Sequence, residues 1–301
     1  MPGMWTSTCL GRRVLVLPSV WVLTVRDGQK MDKIFVYDWP YKSLNLYFLS
    51  DWHWGSPQCQ SDKVKEVIRA IREDPLGRFV CLGDLVENSL IGTLGDVYEQ
   101  TEPPRKQVEM VSALLKPIAN KCWGFISGNH GYRTQKIASI NPDQVIAHQA
   151  GLGDKWAGIS FCAVIRVNQR VFKLFAHHTT GGGRTKGGKI NALSRMAEIM
   201  PLCDIYVGAH DHSEMFCADR VFEINTNGKP AITPFIRRFF RSGSLLDYSG
   251  SYAERKMSPP AQMGQLVITL YGALRRGRRR KKTHSGLQPR KIEWKYIPEN
   301  D

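Results

Sequence analysis

The sequence predicts an α/β protein with mixed sheets: two sheets packed as a sandwich, flanked by helices, with a ligand site beyond the carboxyl ends of the strands. Three observations predict it. Short apolar runs rich in Phe, Val, Ile, Leu and Tyr recur along the chain, as expected of strands covered on both faces. Stripes with the helical repeat lie between several of these runs. Later in the chain, hairpin signals replace the helical stripes. Early βαβ units and late antiparallel strands are both satisfied by two packed sheets with helices outside.

The elements follow in order. LNLYFLS (44–50) reads as a strand and ends at Asp51-Trp52-His53. A helix follows, with Val64, Val67, Ile68 and Ile71 on one face and Ser61 or Asp62 as its cap. RFVCL (78–82) is a strand ending at Gly83-Asp84. Val108, Val111, Leu114 and Leu115 mark a second helix, and WGFIS (123–127) a strand ending at Gly128-Asn129-His130. Asn141-Pro142 opens a third helix, a cap followed by proline in the first turn, and Gly151 closes it. VIRV (164–167) and VFKLF (171–175) form a hairpin around Asn168-Gln169-Arg170, and the second strand runs on to His177-His178. Ile190, Leu193, Ala197 and Met200 mark a fourth helix; CDIYV (203–207) is a strand ending at Gly208-Ala209-His210-Asp211-His212. Asn227-Gly228 signals another hairpin, and late strands are expected at 265–271 and 292–297.

With 301 residues the chain fits one large α/β domain, or one domain with appendages. Hydrophobic residues at 42% supply a substantial core, and 23% charged residues exclude a disordered polyelectrolyte. Residues 1–30 read as an N-terminal extension or short strand pair, and 31–301 as the main domain. Arg12-Arg13 before VLVLPSVWVLTV resembles the start of a signal peptide, but Arg26-Asp27 follows with no small-residue cleavage site. Met31 is an alternative start, because regular patterning begins just after it. No apolar run is long enough to span a bilayer. The seven cysteines are scattered and show no CxxC, which points to a reducing, cytoplasmic compartment and away from a disulfide framework.

The net charge of +15 suits an anionic partner. Much of it falls in 275–282, a basic run placed near 275–284 as a hairpin loop between the last two strands. That loop could hold the phosphates of DNA or RNA. Gly181-Gly182-Gly183-Arg184 and the lysines that follow could also approach a phosphate, with Arg184 as a candidate substrate contact. The stretch is not a P-loop, because the Gly-x-x-x-x-Gly-Lys-Ser/Thr pattern is not met.

The chemistry-bearing residues cluster at predicted strand ends, where ligand sites of α/β folds form. The strand ends supply Asp51 and His53, Asp84, Asn129, the His177-His178 pair, and His210 and His212. Carboxylate and imidazole without thiolate suit a pair of divalent ions such as Mn, Fe, Zn, Co or Ni. Asp84 is the natural bridge. One ion would take Asp51, His53, Asp84 and His212. The other would take Asp84, Asn129, His178 and His210, with His177 left open as the alternative to His178. Glu87 and Asn88 read either as groups that orient the ligands or as a surface turn. Asp211 reads as a turn or supporting residue, and His148 and His284 as outside the chemistry.

Asp51-x-His53, Gly83-Asp84-x-x-Glu87-Asn88, Gly128-Asn129-His130 and Gly208-x-His210-x-His212, in this order, resemble the calcineurin-like metallophosphoesterase superfamily. Ser251-Tyr252-Ala253-Glu254 and the Gly-rich stretch resemble a subgroup found in phage and mobile elements. The resemblance implies a β-sandwich with flanking helices, a binuclear centre (Mn foremost, or Fe, Zn, Ni or Co), and His130 contacting the phosphate or protonating the leaving oxygen. It also selects His178 over His177, three residues before the Gly-Gly-Gly-Arg. Position 131 departs from the family pattern, being Gly where an acid is usual. The implied activity is hydrolysis of a phosphoester. A phosphodiester, as in a nuclease or nucleotide phosphodiesterase, is favoured by the basic loop. A phosphomonoesterase or protein phosphatase, or a non-catalytic nucleic-acid-binding module on the same fold, are the alternatives.

Overall fold

The computed structural model describes residues 8–9, 12–13, 19–21, 33–92, 97–181, 183, 185–226, 230–255, 257–273 and 290–298. The basic run near 275–284, Met31, Arg184, His284 and the Asn227-Gly228 turn lie outside them.

In chain order the elements are β1 (Thr8–Cys9), β2 (Arg12–Arg13), β3 (Ser19–Trp21), β4 (Ile34–Trp39), β5 (Ser43–Leu49), α1 (Ser61–Glu73), β6 (Gly77–Cys81), α2 (Pro104–Leu115), β7 (Cys122–Ile126), α3 (Asn129–Ala138), α4 (Pro142–Gln149), β8 (Trp156–Gly158), β9 (Ser160–Val167), β10 (Arg170–His177), α5 (Lys186–Ser194), α6 (Met196–Ile199), β11 (Ile205–Gly208), β12 (Glu214–Asn225), β13 (Ala231–Ser242), α7 (Tyr252–Arg255), β14 (Gln265–Tyr271) and β15 (Ile292–Ile297).

Two mixed sheets face one another. The seven-stranded sheet has the order β12-β13-β11-β10-β9-β4-β3, and the six-stranded sheet the order β15-β14-β5-β6-β7-β8. In the second, β5, β6, β7 and β8 run parallel while β14 and β15 join antiparallel. Strand β5 shows how sequence sets the layers. Leu44, Leu46 and Phe48 point into the space between the sheets, against Phe161, Leu174, Val207 and Ile268. Tyr47 and Leu49 point the other way, against Val64, Val67, Ile68 and Ile71 of α1 and Val111 and Leu115 of α2. The period of two along a strand makes this alternation, and both faces need cover, so the run carries few polar residues. Helices α5 and α6 cover the seven-stranded sheet through Leu193, Met196 and Ala197 on Phe175, Tyr206 and Phe239.

Several local expectations need adjusting. Neither Ser61 nor Asp62 caps α1; Gln60 is the boundary residue and makes no side-chain cap. The fourth helix is two short ones, divided at Arg195. The hairpin of β9 and β10 turns on Asn168 and Gln169 alone, both with positive φ (40° and 70°), and Arg170 pairs with Val167. Two consecutive left-handed residues define the hairpin turn whose twist matches the strands. Asn141 does cap α4, accepting from Asp143 N at 3.0 Å and Gln144 N at 3.4 Å. Cys59, Cys81, Cys122, Cys162, Cys203 and Cys217 are free thiols. Among the described residues no helix is long and apolar enough to cross a membrane.

Candidate metal centre

The ligand-bearing residues follow the carboxyl ends of β5, β6, β7, β10 and β11, and the sheet order brings these ends to one edge of the sandwich. The parallel ladder of β5 and β6 continues into the loops: Leu82 N donates to Leu49 O, Asp51 N to Gly83 O, His53 N to Asp84 O and Trp54 N to Leu85 O. This zipper sets Asp51 and His53 beside Asp84. Asp51, His53, Asp84, His210 and His212 all have positive φ, between 46° and 79°. That backbone costs an ordinary residue roughly 1–2 kcal/mol. Its concentration here means the surrounding structure holds these side chains against local preference.

Gly83 (φ 89°) is required by close approach, since a Cβ on it would lie 2.0 Å from Gly128 N. The β6 and β7 loops therefore touch backbone to backbone. The first turn of α3 closes on the same place: His130 N donates to Asp84 Oδ1 at 2.8 Å.

Two clusters of ligand atoms meet at Asp84. In one, His53 Nε2 and His212 Nε2 face each other at 3.1 Å, with Asp51 Oδ1 3.9 and 3.5 Å from them. In the other, His178 Nε2 lies 3.0 Å from Asp84 Oδ2 and 2.9 Å from Asn129 Oδ1, and His210 Nδ1 is 2.6 Å from the same amide oxygen. The sets Asp51/His53/His212, His53/Asp84/His130 and Asp84/His178/His210 each keep their ligand atoms within 4.8 Å of one another. Asp51 is fully buried, and its Oδ1 makes no hydrogen bond.

Supporting contacts fix the rings. His53 Nδ1 donates to Glu87 Oε2 at 2.9 Å, and His178 Nδ1 donates to Leu82 O at 2.7 Å, turning the Nε2 atoms toward the cluster. Glu87 is thus an orienting group for His53 rather than a surface turn. Asn88 is buried and braces α3 through Thr134 Oγ1. Asp211 pairs with Arg241 Nη2 at 2.7 Å. His148 is exposed on α4. His177 Nδ1 accepts from Thr179 N at 2.7 Å, while the His178 ring is buried among the ligand set.

The electrostatics follow from packing acids and imidazoles together. Burial pushes the Asp51 carboxyl up, but the neighbouring His212 and His178 outweigh it and hold the group below the usual carboxylate range. Asp84 is lowered likewise: burial opposes, and His178 and His130 prevail. Burial lowers His178, yet the Asp84 carboxylate beside it raises it overall to about 9. Burial dominates at His130, bringing it down to about 4.

Sequence reasoning missed several residues. Arg133, one turn after Asn129 on α3, places Nη2 3.1 Å from Glu87 O and 3.0 Å from His130 Nδ1. Recognition of a helix after Asn129 would have found it. Arg255 lines the same cavity of about 510 Å3 with His53, Asp84, Asn129, His130, His210 and His212, and so does Lys189, one of the lysines already expected after the Gly-rich stretch. Arg255 closes one rim through both oxygens of Glu99, at 3.1 Å each. Arg241, buried beneath the cavity, had no sequence signal.

No family model matches the chain, and no curated protein matches it. Solved structures similar to it include a metallophosphoesterase from Sphaerobacter thermophilus, at 12% identity over 75% of this chain and 83% of that one, with a TM-score of 0.32. Wild-type Vps29 complexed with zinc from Entamoeba histolytica is 13% identical over 84% and 98%, with a TM-score of 0.33. A conserved uncharacterized protein (predicted phosphoesterase) from Streptococcus pneumoniae is 12% identical over 76% and 82%, with a TM-score of 0.31. At such identities and scores the likeness carries no functional weight, and the reading of the site rests on its own geometry.

The geometry makes one ranking testable here. His178→Ala is expected to weaken Mn binding more than His177→Ala, measured by titration of metal-free protein. The reverse ranking would move the ligand role to His177.

Proposed function

We propose that this protein is a phosphoesterase that works with two divalent cations and hydrolyses a phosphodiester. The observation that carries the reading is the pair of ligand clusters joined at Asp84, with Asp51 Oδ1 buried beside them and lacking a hydrogen bond. Asp51, His53, Asp84 and His212 would hold one ion; Asp84, Asn129, His178 and His210 would hold the other. The donor set of carboxylate, imidazole and amide oxygen fits Mn, and also Fe, Zn, Ni or Co. When bound, such a pair supplies electrophilic stabilisation of a phosphate and a water acidic enough to ionise near neutral pH.

The protein's own groups do the rest. Glu87 and the Leu82 carbonyl hold His53 and His178 in their ligand orientation. Arg133 and Lys189 line the cavity and present positive charge to an anionic substrate. His130 lines it too, with Nδ1 against the Glu87 carbonyl. Burial keeps this imidazole neutral in the free site. An anionic phosphoester beside it would favour the imidazolium, the form that donates to a phosphate or leaving oxygen. Arg184 and the basic run of 275–282 remain expectations from sequence for contacts to substrate phosphates. DNA or RNA is the substrate class that run suits best.

A non-catalytic module on the same scaffold has no need of a complete ligand set, and every ligand position here is filled. The test is hydrolysis of a bis-aryl phosphate and an aryl monophosphate by metal-free protein, with and without added Mn. The proposal expects Mn-dependent cleavage, faster on the diester. It also expects His130→Ala to keep its metal while losing about 10²–10⁴-fold in turnover. No cleavage of either ester with metal bound would leave the binding module as the better reading.

A further inference from the structure

Gly131 lies in the first turn of α3, just after Asn129 and His130. A Cβ there would come within 2.3 Å of Asp143 Oδ2, 2.8 Å of Asn141 Oδ1 and 3.0 Å of Ser127 Oγ. The space for a side chain at 131 is already taken by the Asp143 carboxylate, reaching in from the first turn of α4. Asp143 is only 1% exposed. Its Oδ2 accepts from Gly128 N at 2.9 Å and Ser127 Oγ at 3.2 Å, and its Oδ1 has no partner. A buried carboxylate with an unpartnered oxygen is costly, so packing alone does not explain why this slot holds an acid.

The hydrogen-bonded N–H explains it. Gly128 immediately precedes Asn129 and is wedged against the bridging acid: a Cβ on Gly128 would lie 2.0 Å from Asp84 Oδ1. Asp143 holds the same segment through the Gly128 N–H. Asn141 steadies Asp143 in turn, capping α4 with Oδ1 and donating Nδ2 to Ser127 Oγ at 2.9 Å. These links hold Ser127 and Gly128, the two residues that lead into Asn129, whose amide oxygen lies beside His178 and His210.

We propose that Asp143 is a positioning residue for Asn129, and that position 131 is glycine because residues 131 and 143 share one slot. Glycine inside a helix costs about 1 kcal/mol relative to alanine, which fits a site where any side chain would displace the carboxylate. The positioning role rests on the metal reading given above; the shared slot does not.

The experiment compares Asp143→Ala, Asp143→Asn, Gly131→Asp and the exchange Gly131→Asp/Asp143→Ala. Each is measured by denaturant unfolding of the metal-free protein and by Mn titration with detection of the free ion. Asp143→Ala is expected to weaken one of the two Mn equivalents by about 10–100-fold and leave the other close to its original affinity. Asp143→Asn keeps an acceptor for the Gly128 N–H and is expected to retain most of the affinity. Gly131→Asp alone should destabilise the fold, and the exchange should recover stability and binding together. Unchanged Mn affinities in Asp143→Ala would overturn the positioning role. An exchange no better than Gly131→Asp alone would overturn the shared slot. If Asp143→Ala does not fold, Asp143→Asn decides: near-original binding supports the role, and equal weakening of both ions overturns it. Wild-type protein that binds no Mn would instead overturn the metal reading, while the unfolding measurements would still judge the slot.

Discussion

Asp84→Asn is expected to abolish turnover and to cost the protein both of its metal equivalents. One carboxylate reaches toward both clusters: Oδ2 is 3.0 Å from His178 Nε2, and the group also lies within 4.8 Å of a His53 ring nitrogen. An amide of the same size keeps the packing, so the fold should survive, but it removes the negative charge that two cations would share. The loss should exceed the roughly 10–100-fold typical of a residue that only orients a ligand. Mn titration and bis-aryl phosphate hydrolysis on the same preparation check it. A variant that keeps one tight equivalent and measurable turnover would mean that Asp84 serves a single ion.

Arg241→Ala is expected to be the most destabilising single substitution near the site. The guanidinium is 1% exposed and ties together three segments. It donates to Thr179 Oγ1 and the Ala209 carbonyl with one nitrogen, and to the Lys189 carbonyl with the other. That second nitrogen also faces Asp211 at 2.7 Å, although no N–H points along the contact and Asp211 Oδ2 gains no aligned hydrogen bond. Removing one partner of a buried ion pair costs about 3–5 kcal/mol, because the other charge stays buried alone. Denaturant unfolding should show a loss of that size. Asp211→Asn in the same chain should restore part of it, since a neutral amide is cheaper to leave unpaired. A change within roughly 0.5 kcal/mol, the range of ordinary surface substitutions, would mean that Arg241 is not the anchor of these loops.

Much of this architecture was legible in the sequence because its signals are physical and local. LNLYFLS is apolar on both faces, and both faces are covered, one by the second sheet and one by α1 and α2. Polar residues end β5, β6, β7, β10 and β11, and the parallel ladders carry them to one edge. The features that escaped have weak local signals. Helix α3 (NHGYRTQKIA) buries only Gly131 and Thr134, so it has no apolar stripe to read, and Arg133 was missed with it. No residue of β12 is buried, and apolar Phe222, Ile224 and Ile232 of β12 and β13 are each more than 70% exposed, so in these long strands the apolar residues do not mark a covered face. Asp143 and Arg241 act on the site from other parts of the chain, and no spacing rule links them to the residues they hold.

The central claim is that Asp84 joins two cation sites. Chelator-treated protein reloaded with Mn, then freed of excess ion and assayed by elemental analysis, tests it most directly. Close to two equivalents per chain are expected, with turnover rising as the second is filled. A stoichiometry of one with full activity would contradict it.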